Sequence, residues 1–128
     1  MNAALPPDGD LTYRIIGLAM RVHSRLGPGL LESVYHRCLC HELAKADIVF
    51  DQQVRLPIRY DGIEIQSAYT ADMIVRDQVV LELKAVERVT PLHEAQLLTY
   101  LRLSGCRIGL LINFNTVSLT DGIRRRVI

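Results

Sequence analysis

Asp72, Glu82 and Lys84 interrupt two runs, 71–75 and 79–86, that are otherwise apolar and largely β-branched. Such runs belong in buried strands, and buried charges are costly unless they are paired or hold a metal. Arg76-Asp77-Gln78 is the polar break between the runs and the expected turn. A three-residue turn pairs Val75 with Val79, Ile74 with Val80 and Asp72 with Glu82. Opposed residues of an antiparallel pair share a face about 5 Å apart, and alternate residues of one strand share it too. Asp72, Glu82 and Lys84 are therefore expected to converge on one side of one sheet. Two facing carboxylates repel unless a cation lies between them. An open, oxygen-rich site of this kind suits Mg²⁺ or Mn²⁺. The turn lacks glycine, and a two-residue turn would set Asp72 opposite Leu83, so the convergence depends on turn length.

The elements around this pair follow from periodicity and punctuation. Asp10 or Thr12 can cap a first helix to about residue 26, with Ile15, Ala19, Val22 and Leu26 on its apolar stripe. Gly27-Pro28-Gly29 stops it. A second helix is expected from about residue 30 to 46, with Leu31, Val34, Cys38 and Leu39 apolar and Glu32 in its first turn. Glu32 and Tyr35 share a face of it. Residues 54–60 alternate as a half-exposed strand, and Pro57 marks an edge or a bulge. Asp61-Gly62 is a two-residue hairpin turn that pairs Tyr60 with Ile63 and Arg59 with Glu64. A third helix is capped by Thr90, has Pro91 at its first position and ends at Gly105. It carries His93, Gln96 and Tyr100 on one face and Leu98 and Leu101 on another. The strand at 108–114 then pairs parallel with 79–86. The expected order is α-α-β-β-β-α-β, an α/β fold with a mixed central β-sheet flanked by helices.

At 128 residues, 49% of them hydrophobic, the chain makes one domain, 11–128, behind a flexible tail at 1–10. No apolar run is long enough to cross a bilayer and no signal pattern opens the chain, so a cytoplasmic protein without a membrane partner is expected. Three cysteines without framework spacing fit a reducing compartment. His36, Cys38, Cys40 and His41 scatter around a helix axis, which disfavours zinc. The net charge of +1 neither demands nor excludes nucleic acid. Arg124-Arg125-Arg126 can grip phosphates or merely solvate a terminus.

Four separated motifs carry a family resemblance: Gly29-Leu30-Leu31-Glu32-Ser33-Val34-Tyr35, Ala71-Asp72, Glu82-Leu83-Lys84 and Gln96-Leu97-Leu98-Thr99-Tyr100. Over roughly residues 23–127 the chain resembles the bacterial GxxExxY proteins, grouped with the PD-(D/E)xK nuclease-like superfamily. The resemblance implies a restriction-endonuclease-like core. It implies Asp72 and Glu82 as ligands of Mg²⁺ (or Mn²⁺), helped by the backbone carbonyl of Leu83. Lys84 would orient or activate water, Glu32 would be an auxiliary acid, and Gln96 would support the metal or the water. Ala71 stands where the superfamily's name has proline. The implied function is metal-dependent hydrolysis of DNA or RNA phosphodiesters, DNA more than RNA, with a homodimer suited to cutting two strands. The alternative is a catalytically silent module that binds nucleic acid or a partner.

Overall fold

The computed structural model describes residues 7–128, apart from the side chains of residues 7–9 and of Ser67. Helices α1 (Pro7–Leu26) and α2 (Glu32–Lys45) come first, then strands β1 (Phe50–Tyr60), β2 (Ile63–Val75) and β3 (Val79–Lys84). Helix α3 (Pro91–Ser104), strand β4 (Ile108–Asn113), a short 3₁₀ turn (Leu119–Gly122) and strand β5 (Ile123–Val127) complete the chain. Helix α1 starts at Pro7, ahead of the expected Asp10 or Thr12 cap. Of the expected tail, residues 1–6 lie outside the described residues.

The five strands lie in chain order in one sheet. The β3–β4 pair is parallel and the other pairs are antiparallel, so the sheet is mixed, as expected. β5 adds an edge strand beyond the predicted order. Helices α1 and α2 cover one face through Ile15, Ala19, Tyr35, Leu39 and Leu43, which pack on Met73, Leu81, Leu83, Leu110 and Ile112. Helix α3 covers the other through Leu97, Tyr100 and Leu101, on Ile74, Val80 and Leu111. Sandwiched this way, β3 and β4 are buried along nearly all their length, which is why they read as unbroken apolar runs.

Local punctuation works as read. Thr90 caps α3 and its hydroxyl accepts from His93 N, while His93 Nδ1 accepts from Thr90 N. Gly105 ends α3 in the left-handed conformation, φ 79°. Pro57 coincides with a register shift between Leu56 and Ile58 on edge strand β1. Arg59 faces Glu64, 3.5 Å apart.

The apolar side of α2 is a correction. Tyr35, Leu39 and Leu43 are buried, whereas Leu31 is 73% exposed and Val34 lies at the surface. Tyr35 reaches further into the core than a short aliphatic chain can. It stacks on Phe114 at 4.6 Å, donates to the Gly27 carbonyl (2.5 Å) and accepts from Leu30 N (3.1 Å). Phe114, with the α1–α2 loop, therefore sets which residues of α2 face inward. Leu26, expected on the α1 stripe, is likewise 37% exposed.

Candidate active site at the fork of the sheet

The site rests on the β2–β3 turn, and the turn has three residues. Val75 faces Val79, Ile74 faces Val80 and Met73 faces Leu81. Gln78 N donates to the Val75 carbonyl (2.9 Å), and Arg76 and Asp77 both adopt positive φ, at 51° and 54°. Such angles are unfavourable without glycine. They persist because sliding the register by one residue would turn every buried valine of the hairpin toward the wrong face.

The ladder between β2 and β3 stops at Met73 and Leu81. Beyond it β2 pairs only with β1, and β3 only with β4, so the sheet forks. Asp72 and Glu82 occupy the crotch of the fork. Glu82 Oε2 accepts from Asp72 N at 2.8 Å, and Asp72 Oδ2 accepts from Leu83 N at 2.8 Å. Each carboxylate thus satisfies a backbone N–H at the point where the ladder ends. Regular alternation would put both acids on one face. Instead they point across the seam between the strands. Alternation itself breaks here, since Met73 packs toward α1 and α2 while Ala71 packs toward α3. Opposite the break, Gln53 of β1 takes φ 50° and drops out of the paired register between Gln52–Met73 and Val54–Ala71.

The electrostatics are those of a compressed acid cluster. Glu82 is 5% exposed. Burial first, and the Asp72 carboxylate next, push its pKa up to about 8, against the lowering effects of the Asp72 backbone bond and Lys84. Glu32, from the start of α2, is raised by burial and then by Asp72, and lowered by Lys84 and His36. Tyr100 on α3 is pushed up to about 12 by burial, then by Glu82, Asp72 and Tyr69. Asp72, Glu82, Lys84 and Glu32 therefore share one field. Lys84 is half-buried, yet among the described residues its ammonium lies in no ion pair or hydrogen bond. The lysine does not neutralise the acids by contact, as an internal ion-pair network would require.

Other sequence-predicted residues fall differently. Leu83 buries its side chain in the core and gives its N–H to Asp72. Gln96 lines a cleft of ≈ 250 Å³ with Tyr69, Leu92, His93 and Thr99, a different one from the cleft that holds Asp72 and Glu32. Its helix sends Tyr100, one turn on, toward the acids, held edge-to-face on Tyr69. Cys38, Cys40 and Cys106 are free, and Cys40 meets Met73 (3.8 Å) rather than a metal ligand.

Several residues beside the acids were not read from the sequence. A cleft of ≈ 300 Å³ joins Asp72 and Glu32 to His36, Arg37, Gln52 and Gln53. His36 Nε2 contacts Gln52 Oε1 at 3.0 Å, linking α2 to β1. The i, i+4 spacing of Glu32 and His36 was the available signal; nothing local announced Gln53. Asn113 is 2% exposed and brackets the chain leaving Lys84: Oδ1 accepts from Val86 N (3.0 Å) and Nδ2 donates to Val86 O (2.9 Å). It steadies the end of β3 from which Lys84 projects.

The donor set suits a hard cation. Asp72 and Glu82 each have one oxygen fixed by a backbone N–H, which orients the other. Among the described residues no three His, Cys, Asp or Glu side chains form a ready metal cage. Mg²⁺ needs no such cage, because it is commonly held by one or two carboxylates, with water and substrate oxygens completing the shell.

No helix among the described residues is long and apolar enough to cross a membrane. Neither curated proteins nor solved structures gave a significant match. A family model does match, over residues 9–126, a span that takes in the forked sheet and all three helices: the chain belongs to the PD-(D/E)XK nuclease superfamily.

Proposed function

We propose that the protein is a metal-dependent nuclease that hydrolyses phosphodiester bonds of nucleic acid at the Asp72–Glu82–Lys84 fork. The observation that carries this reading is the unpaired ammonium of Lys84 beside buried Glu82 and half-buried Asp72, each fixed by a backbone bond. Buried ionisable groups with perturbed pKa, arranged so that charge is left unbalanced, mark functional sites more often than stabilising ones.

Asp72 and Glu82, with the Leu83 carbonyl, would hold Mg²⁺ or Mn²⁺. When bound, such an ion polarises a phosphoryl oxygen and lowers the pKa of a coordinated water. Lys84 places positive charge where negative charge develops on the phosphate. Glu32 faces the same cleft and orients the attacking water or its shell. Water adds to phosphorus and one ester P–O bond breaks, leaving a phosphomonoester and an alcohol. Gln96 keeps at most a supporting part through its helix.

The test is cleavage of plasmid, single-stranded DNA and RNA by purified protein in Mg²⁺ or Mn²⁺. Asp72→Ala and Glu82→Ala should fall to background, and Lys84→Ala should lose about 10²–10³-fold in rate. If wild type and Asp72→Ala behave alike on every substrate, the reading fails. The second reading is a silent nucleic-acid- or partner-binding module. Calorimetric titration with Mn²⁺ separates the two, since only a working site shows metal binding that Glu82→Ala removes.

A further inference from the structure

Arg37 belongs to two clefts at once. It lines the cleft that holds Asp72 and Glu32, and it also lines a second groove, of ≈ 250 Å³, between α1 and α2. Val22, Leu26 and Cys38 give that groove an apolar lining, and Arg21, Arg25 and Arg37 stand around it with His41. Arg21 is engaged with Glu42 at 3.1 Å. Arg25 and Arg37 are exposed, and among the described residues neither is in an ion pair or hydrogen bond.

We infer that this groove is the path of a single nucleic-acid strand leading to the fork. The inference rests on the nuclease reading for its direction and on the groove's own chemistry for its occupant. An apolar lining with unneutralised guanidinium groups matches a ligand that is apolar on one side and anionic on the other. A single strand is such a ligand, because its base faces are open and its phosphates follow one edge. A duplex hides its base faces and offers phosphates alone. Arg25 meets phosphates upstream, and Arg37 takes the phosphate at the junction of groove and active cleft. Beyond Arg37 the strand passes His36 and Gln52, which are joined to each other across the cleft wall. Gln53 lies opposite Asp72 in a left-handed turn of an otherwise extended strand, a position where backbone strain accompanies function.

Binding is measured without turnover, in EDTA, by fluorescence anisotropy of a labelled oligonucleotide of about twelve nucleotides across a salt series. Wild type should bind the single strand more tightly than the matching duplex. Arg25→Ala/Arg37→Ala should weaken single-strand binding about tenfold or more and reduce the slope of log K against log salt by about 1.4, the value for two lost phosphate contacts. Both arginines are exposed, so thermal unfolding should stay near wild type. Arg102→Ala/Arg107→Ala, which removes equal charge from other surfaces, should leave affinity nearly unchanged.

The inference is overturned if the groove variant binds like wild type, or if the control pair loses as much affinity. It is also overturned if duplex binds as tightly as single strand, or if a glutamate-rich peptide binds better than the oligonucleotide at equal salt. Loss of cleavage in Asp72→Ala with binding intact in the groove variant sinks the groove and spares the nuclease reading. Loss of binding in the groove variant of a protein that cleaves nothing supports the groove and sinks the nuclease reading.

Discussion

Glu82 concentrates the electrostatic tension of the molecule. Its folded pKa, about 8, lies above its ordinary value of 4.5 because burial and Asp72 disfavour its charge. Between those values the native state keeps a proton that the unfolded chain releases. The unfolded state then binds fewer protons, so stability falls as pH rises through that window and levels off above about 8. Metal-free protein should therefore melt at a lower temperature at pH 8 than at pH 5, and Glu82→Gln should flatten that difference. A cation bound by the carboxylates would relieve the repulsion, so Mn²⁺ should raise the melting temperature more at pH 8 than at pH 5. Thermal unfolding with and without Mn²⁺ checks both statements. A Glu82→Gln protein with the same pH slope as wild type would remove Glu82 as the cause.

The elements hold the site by close approach. Gly109 of β4 lies under α3, and a Cβ added there would stand 2.8 Å from Leu97 Cδ1 and 3.2 Å from Leu101 Cδ2. The helix that carries Gln96 and Tyr100 thus sits as low on the sheet as a bare backbone allows. Gly109→Val should force α3 outward and destabilise the fold by about 1–3 kcal/mol, read as a shifted denaturant midpoint. Tyr100 would move with the helix, so the near-ultraviolet signal of the Tyr69–Tyr100 pair should change as well. Unaltered stability and spectrum would mean that the helix has more clearance than this. The caps of α3 were legible beforehand because Thr90, Pro91 and Gly105 act through neighbouring residues. The inward face of α2 was not legible, because Tyr35 is drawn in by Phe114, far away in the chain.

At the scale of the whole molecule, the fork leaves the distal β1–β2 hairpin without cover from β3. Tyr60, Ile63 and Ile65 are exposed near its tip, and a two-stranded ribbon has little stability of its own. Residues 57–68 are therefore dispensable for the core. Replacing them with Asn-Gly keeps Leu56 opposite Tyr69 and supplies a favoured two-residue turn. The shortened protein should fold cooperatively and melt within about 5 °C of the parent. A collapse in cooperativity would show that the distal hairpin supports the sheet after all. Arg126 is not free at this scale either, because it is paired with Glu94 of α3 and ties β5 to the helix. That pairing reduces what the terminal arginines can offer to phosphates.

The sequence by itself determined the order of elements as far as β4, the polar break that becomes the β2–β3 turn, and which two strands carry Asp72 and Glu82. Those features are local: period-two burial, one polar break, and caps within a turn of their helices. Only the tertiary structure decided how the acids point. Their direction follows from where β2 and β3 part, and from the backbone N–H groups left open there. It also decided that Lys84 stays out of contact with them, that Gln96 faces another cleft and that Arg37 joins two grooves. Each depends on the relative placement of elements distant in the chain, which residue spacing does not encode.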